Sequence, residues 1–158
     1  MLRLEEEQVV RTYADMVYRI AFRYTGSRTD ADDVFSETFL AYFCKKRTFE
    51  SEEHRKAWLI RVTINCAKDL LSQRMPYAEL NPEITTDDKN TVAAEIRIDL
   101  KQAIEQLSPE YREVICLFYL EQLSVRETAE VLGRKESTVK VQLSRAREKL
   151  RVLMDGQE

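Results

Sequence analysis

The chain has 158 residues, of which 44% are hydrophobic and 34% are charged, and its formal net charge at pH 7 is −3. This composition is typical of a folded chain with one domain or two small ones, and three scattered Cys, one His and no Gly-rich phosphate loop argue against a metal site, a cofactor and an enzyme. No apolar run is long enough for a transmembrane span or a signal peptide, so we expect a cytoplasmic protein without membrane insertion.

Few turn residues and no sustained period-two alternation predict an all-α chain, in which residues 1–75 form one helical unit. The first helix follows apolar spacing from Val9 to Tyr24 and ends near Gly26. Thr29 is predicted to cap a second helix that buries Val34 and Phe39. The side chains predicted to point outward from this helix are all acidic, namely Asp30, Asp32, Asp33 and Glu37.

A third helix is predicted from about Lys56 to Arg74. The polar, aperiodic residues 47–56 before it are predicted to be a loop or a broken helix start. Trp58 lies on its apolar side and is expected to belong to the core. A second face carries polar side chains spaced by 4, 3 and 4 residues, namely Arg61, Asn65, Lys68 and Ser72. A solvated helix surface accounts for this face as well as a binding surface does, so both interpretations stay open.

Residues 76–95 contain two of the three prolines and an acidic run without helical periodicity. They are predicted to be a flexible linker between two small helical domains. The second domain covers residues 96–158, where Ser108 and Pro109 form an N-cap and N1 pair. The helix that they open is predicted to continue through Leu120.

Residues 124–151 have the pattern of a helix-turn-helix. Ser124 and Glu127 form a capping box at the start of its first helix, and Gly133 ends that helix. The second helix has one apolar stripe, made of Val139, Leu143, Ala146, Leu150 and Leu153. Val141 lies about 160° from the mean direction of this stripe and is predicted to point outward.

Basic residues concentrate on the second helix and the turn before it. Seven Lys or Arg and two Glu lie between Arg134 and Arg151, which gives a local charge of +5 in a chain of −3. A basic helix with an outward apolar side chain suits the DNA major groove. A basic helix that only aids solubility, in an ordinary helical hairpin, is the alternative.

Four segments together resemble the extracytoplasmic-function (ECF) group of bacterial sigma-70 RNA polymerase sigma factors. In chain order they are DADDVFSETFLAYF at 30–43, AWLIRVTINCAKDLL at 57–71, LSPEYREVICLFYLEQLSVRETAEVLG at 107–133 and ESTVKVQLSRAREKL at 136–150. The resemblance spans nearly the whole chain. It implies a sigma region 2 domain over residues 1–75, a region 4 domain over residues 96–158 and a promoter-recognition subunit without chemistry of its own.

The resemblance also implies binding surfaces. Asp33, Glu37 and Leu40 would contact the β′ clamp helices of core RNA polymerase. The loop over residues 49–57 would capture an unstacked base of the minus-10 element, and the residues implied for that element are Phe49, His54, Arg55, Lys56, Arg61, Asn65, Lys68 and Asp69. The β flap of polymerase and an anti-sigma factor are further expected partners.

In the region 4 domain, the resemblance implies that the second helix of the helix-turn-helix enters the major groove of the minus-35 element. The residues expected to reach bases are Lys140, Val141, Ser144 and Arg145. Those expected near phosphates are Arg134, Lys135, Ser137 and Thr138. Arg145 could grip guanine bidentately, and Val141 could pack on a thymine methyl group.

This chain departs from the family pattern at three positions of that helix. Family members often carry Gly, Ser and Arg where this chain has Ser137, Val141 and Gln142. The apolar Val141 predicts an altered base preference. Two other functions stay open from the sequence, namely a helix-turn-helix repressor or activator whose residues 1–75 sense a signal or dimerise, and an adaptor that binds only protein.

Overall fold

The computed structural model describes residues 4–45, 47–74 and 95–155. Over these ranges the chain is built from α-helices and one π-helical segment, without a strand, so the prediction of an all-α fold is confirmed. The helices are α1 (Leu4–Thr25), α2 (Arg28–Cys44), α3 (Glu52–Arg74), α4 (Glu95–Glu105), α5 (Pro109–Ile115), α6 (Val125–Leu132) and α7 (Glu136–Asp155). The predicted flexible linker lies outside the described residues except for Glu95, where α4 begins.

The chain divides into two compact units, Met1–Thr86 and Asp87–Glu158. In the first unit α1, α2 and α3 pack on one another in a three-helix bundle. Its core consists of apolar side chains that water hardly reaches, including Val17, Ile20, Val34, Leu59 and Ile64. Burying these side chains stabilises the bundle, at about 1.5–3 kcal/mol for each.

Two details predicted for the second helix are wrong. The N-cap is Ser27 rather than Thr29, since the Ser27 Oγ accepts a hydrogen bond from the Asp30 N–H at 3.2 Å. Asp30 is buried rather than outward, because it precedes Val34 by four residues and so lies on the same helix face. The other three acids of α2, Asp32, Asp33 and Glu37, are exposed as predicted.

Helix α3 begins at Glu52, inside the segment over residues 47–56 that was predicted as a loop or a broken helix start. The Ser51 Oγ accepts a hydrogen bond from the His54 N–H at 3.1 Å, which satisfies a donor of the first turn. Glu52 and Glu53 occupy that turn, where carboxylates interact favourably with the helix dipole. The helix therefore starts four residues before the predicted Lys56.

The second unit contains α4 to α7, and α7 contacts each of α4, α5 and α6. Its core includes Leu107, Val114, Ala129, Val139 and Leu143. The helix predicted to run from Pro109 through Leu120 changes to π-helical geometry over Cys116–Leu120. None of the helices in the described ranges has the length and apolar character that a membrane span requires.

Candidate nucleic-acid interface

The helix-turn-helix forms with the predicted caps. The Ser124 Oγ accepts from the Glu127 N–H at 3.0 Å, and a Glu127 carboxylate oxygen accepts from the Ser124 N–H at 2.9 Å. Gly133 ends α6 with φ 70° and ψ 36°, a left-handed conformation that favours glycine. The Arg134 N–H then reaches the Ala129 carbonyl at 2.9 Å, which completes a Schellman motif.

Helix α7 is oriented as its sequence predicts. Val139, Leu143 and Ala146 are buried against the rest of the unit. Val141 is 46% exposed, so the prediction that it points outward is confirmed. The residues predicted to reach bases, Lys140, Val141, Ser144 and Arg145, are all exposed.

Val141 and Arg145 share an open depression of about 330 Å³. Its lining comes from both α5 and α7 and consists of Glu110, Tyr111, Ser137, Thr138, Val141, Gln142 and Arg145. The site therefore combines an apolar wall with a guanidinium group and an amide. These groups can contact a methyl group and the polar atoms of a base edge.

Arg134 differs from the other predicted phosphate contacts, because its side chain is engaged within the unit. Its guanidinium forms an ion pair with Glu113, and Nη1 donates to Gln142 Oε1 at 3.0 Å and to the Glu110 carbonyl at 3.4 Å. Lys135, Ser137 and Thr138 are exposed. The sequence analysis did not predict that Glu113 and Gln142 belong to this site. For Gln142 a signal was present, since it precedes Arg145 by three residues and therefore shares a helix face with it.

In the first unit, Phe49 is the centre of an aromatic cluster. Its ring stacks nearly parallel on Tyr42, with centroids 6.1 Å apart, and meets Trp58 and His54 edge-on at 5.8 and 5.3 Å. The Arg55 guanidinium carbon lies 5.2 Å from the Phe49 centroid, a cation–π contact. Trp58, which was predicted to belong to the core, is half-buried and contacts the rings of Tyr42 and Phe49.

A cavity of about 700 Å³ lies beside this cluster. Its lining brings three carboxylates and three cations together with four aromatic rings, and it consists of Glu5, Glu6, Gln8, Val9, Thr12, Tyr13, Tyr42, Phe43, Lys45, Arg47, Phe49, Glu52 and Arg55. The Tyr13 hydroxyl donates to Glu52 Oε1 at 2.7 Å. Burial and then this hydrogen bond raise the pKa of Tyr13 from 10.0 to about 12, so the hydroxyl stays protonated.

The residues predicted for the minus-10 element do not form one surface. Arg61, Asn65, Lys68 and Asp69 are exposed on α3. Arg55 lies about 100° around the helix from the mean direction of Arg61 and Asn65. Arg55 is half-buried and ion-paired with Glu52, and Lys56 is half-buried as well. The predicted set therefore divides into a loop cluster beside the cavity and a polar stripe along α3.

Asp33, Glu37 and Leu40 lie together on α2, since their spacing of 4 and 3 residues puts them on one face. All three are exposed, and Leu40 has 60% of its surface open to solvent.

The three cysteines differ in exposure. Cys44 is exposed, Cys66 is half-buried and Cys116 is buried, and burial raises the pKa of the Cys66 thiol. In the described parts of the chain, no group of three His, Cys, Asp or Glu side chains is arranged to hold a metal ion.

Two family models match the chain in order, sigma-70 region 2 over residues 9–76 and sigma-70 region 4 over residues 97–150. The RNA polymerase sigma-E factor of Streptomyces coelicolor is 34% identical over 152 residues, which are 94% of this chain and 85% of that protein. The ECF RNA polymerase sigma factor SigE of Mycolicibacterium smegmatis is 32% identical over 92% of this chain, which spans only 60% of that relative's length.

Solved structures are similar as well. The sigma factor RpoE in complex with the anti-sigma factor NepR from Bartonella quintana matches with a TM-score of 0.78 over 94% of this chain and 96% of that one. Its identity is 22%, which supports the fold alone. CnrH in complex with the cytosolic domain of CnrY matches with a TM-score of 0.68 and 27% identity, over 97% of this chain and 89% of that one.

Proposed function

Because the chain belongs to the ECF group of the sigma-70 family, we propose that it binds core RNA polymerase and directs promoter-specific initiation of transcription. In this proposal residues 1–75 recognise the minus-10 element, residues 76–95 connect the domains and residues 96–158 recognise the minus-35 element. The observation that carries the proposal is the outward face of α7, where Val141 and Arg145 share one depression. The chain supplies recognition and leaves the chemistry to polymerase.

The exposed face of α7 supports major-groove recognition, since that groove is about 12 Å wide and admits one helix. Arg145 donates to guanine O6 and N7, and Val141 packs on a thymine methyl group. Lys140 and Ser144 flank these two residues on the same exposed side.

Phosphate contacts come from the start of α7. Lys135, Ser137 and Thr138 are exposed there, where backbone N–H groups and the positive end of the helix dipole favour an anion. These contacts hold α7 in register on the duplex, while the base contacts select the sequence.

For the minus-10 element, the cavity beside Phe49 supports capture of an unstacked base. Single-stranded bases bind by stacking on aromatic rings, with cations nearby to neutralise the backbone. Tyr42 and Phe49 line the cavity, while His54 and Arg55 hold the Phe49 ring. The cations and polar groups assigned to the strand's backbone are Lys56, Arg61, Asn65 and Lys68. Asp69, the anion beside them, is assigned to accept a hydrogen bond from a base.

The protein partners follow from the remaining surfaces. Asp33, Glu37 and Leu40 form the contact with the β′ clamp helices, and the β flap is a second polymerase contact. CnrH, which is 27% identical to this chain, was solved in complex with a protein partner, the cytosolic domain of CnrY. An anti-sigma factor that covers the polymerase- and DNA-binding faces is therefore proposed for this chain as well.

The overall charge of −3 agrees with a subunit that needs polymerase to hold DNA. The logarithm of the affinity for DNA falls linearly with the logarithm of the salt concentration, with a slope of about −0.9 for each phosphate that the protein neutralises. The isolated chain should therefore bind promoter duplex weakly and lose it steeply as salt increases.

Run-off transcription on genomic fragments, with core polymerase in the presence and absence of the chain, tests the proposal. We expect promoter-directed transcripts only when the chain is added. Arg145→Ala should cost about 1–3 kcal/mol and relax preference at one minus-35 position, while Lys149→Ala, an exposed basic residue of the same helix, serves as the matched control.

Absence of such transcripts, under conditions where another sigma factor works, would refute the proposal. Tight and specific duplex binding by the chain alone would instead support a repressor. Polymerase binding without any dependence on DNA would support an adaptor.

A further inference from the structure

We propose that Arg134 sets base preference in the minus-35 element by fixing the side-chain amide of Gln142, and that it does not contact phosphate as the sequence predicts. The inference rests on the proposed function and deepens it, since it identifies a positioning residue and a specificity residue in the same site.

Arg134 is held from three directions. Its backbone is fixed by the Schellman motif after Gly133. Its guanidinium is bound to α5 through the Glu113 carboxylate and the Glu110 carbonyl. The same group reaches α7 through Gln142 Oε1 at 3.0 Å.

The guanidinium also lies where phosphates have poor access to it. The Arg134 side chain is only 20% exposed and the Glu113 carboxylate 13%. A phosphate contact would require breaking an ion pair that is largely shielded from water, and the half-buried carboxylate would then lose its cation. Lys135, the next residue, is exposed and needs no such rearrangement.

Arg134 determines which end of the Gln142 amide faces the depression. A guanidinium has five N–H donors and no acceptor, whereas a glutamine amide has a carbonyl end that accepts and an amino end that donates. Oε1 of Gln142 must therefore face Arg134, and Nε2 is left to donate elsewhere. Gln142 lines the depression with Val141 and Arg145. Since Oε1 is held by Arg134, we assign the donor end of Gln142 to the proposed base-reading surface.

This orientation changes what Gln142 can read. An unrestrained glutamine recognises adenine with both ends, since it donates to N7 and accepts from the N6 amino group. Because Oε1 is directed at Arg134, the amide cannot present its carbonyl and amino ends together to one adenine, so Gln142 contacts the base as a donor. It then tolerates any base edge with an acceptor and disfavours the N4 amino group of cytosine. Arg134 thus replaces adenine selection by discrimination against cytosine at one position.

Selection from a duplex library with a randomised minus-35 region tests this inference. Holoenzyme assembled from core polymerase and full-length chain is used with wild type, Arg134→Met, Gln142→Ala and the double variant. Methionine keeps the apolar stem and removes the donors. We expect Arg134→Met to increase preference for adenine about tenfold at one position, and to change nothing there when Gln142 is alanine.

Salt dependence separates positioning from phosphate contact. Arg134→Met should leave the slope of log affinity against log salt unchanged, while Lys135→Ala, as the matched control, should reduce its magnitude by about 0.9. A uniform loss over all sequences, together with a slope change like that of Lys135→Ala, would overturn the inference. So would an unchanged base preference in Arg134→Met.

Glu113→Ala provides an independent variant, because Glu113 lies on α5 and no role on DNA is assigned to it. The inference expects a shift toward adenine that is smaller than in Arg134→Met, since Arg134 loses the carboxylate that holds it but keeps its donors to Gln142 and the Glu110 carbonyl. If Arg134 contacts phosphate, releasing it should instead tighten binding to every sequence. A wild-type holoenzyme that selects no minus-35 sequence would refute the proposed function itself, whereas a selected sequence with unchanged variants refutes only this inference.

Discussion

Replacing Val141 with alanine should weaken binding of the holoenzyme to its minus-35 element by about threefold. Val141 is 46% exposed, so about half of its side chain remains to be buried against DNA. The substitution removes two methyl groups, each worth about 0.8 kcal/mol when fully buried. The expected loss is therefore about 0.7 kcal/mol, or about threefold in the dissociation constant.

The assay compares two proteins on two duplexes that differ by one methyl group. Deoxyuridine replaces thymidine at the position facing Val141, which deletes the methyl group and leaves base pairing intact. Wild-type holoenzyme should lose about threefold on the uracil duplex, and Val141→Ala should lose nothing more, because the contact is already gone. Dissociation constants from fluorescence anisotropy at fixed salt give the four values.

Val152→Ala is the matched control, since Val152 lies on α7 and is 59% exposed but has no assigned DNA contact. It should bind both duplexes as the wild type does. If the losses from Val141→Ala and from uracil add, the two groups do not touch. The assignment of Val141 to a thymine methyl group would then be wrong.

Three other substitutions test separate parts of the molecule. Glu37→Lys should weaken binding to core polymerase by about tenfold, because it replaces an anion by a cation within the proposed contact, while Glu7→Lys on α1 should not. Equal affinities in a pull-down titration would remove α2 as the clamp contact. Tyr13→Phe should reduce the pH dependence of unfolding. In the wild type the pKa of Tyr13 is raised to about 12 in the folded protein, against 10.0 in the unfolded chain. This shift contributes at most about 2–3 kcal/mol to the free energy of unfolding. The contribution is complete below pH 10 and is lost as the pH rises toward 12. Urea titrations followed by the fluorescence of Trp58, the single tryptophan, at pH 9 and 12 measure it, and identical pH dependence in the two proteins would contradict the assignment. Ser124→Ala should cost α6 about 1 kcal/mol and speed amide exchange there about fivefold, with exposed Ser72→Ala as the control; unchanged exchange in α6 would mean that the capping box contributes nothing.

Features that depend on neighbours along the chain were predictable. The capping box of Ser124 and Glu127 and the left-handed Gly133 each involve residues within one helical turn. The outward position of Val141 follows from the 3.6-residue period once the buried stripe is known. The cap of the second helix was predicted wrongly, because Ser27, two residues before Thr29, is the residue whose side chain accepts a hydrogen bond from the Asp30 N–H.

By itself, the sequence was sufficient to determine the helical class, the helix-turn-helix, the exposed face of α7 and the resemblance to a family, because periodicity and caps are written into adjacent residues. Only the tertiary structure decided which side chains meet. Arg134 and Glu113 are 21 residues apart, and Tyr13 and Glu52 are 39 apart. No local pattern connects such pairs, since their contact depends on how whole helices pack. The sequence predicts a phosphate contact for Arg134 because it does not show the contacts of this side chain with Glu113 and Gln142. In the proposed role, those contacts let Arg134 orient the Gln142 amide.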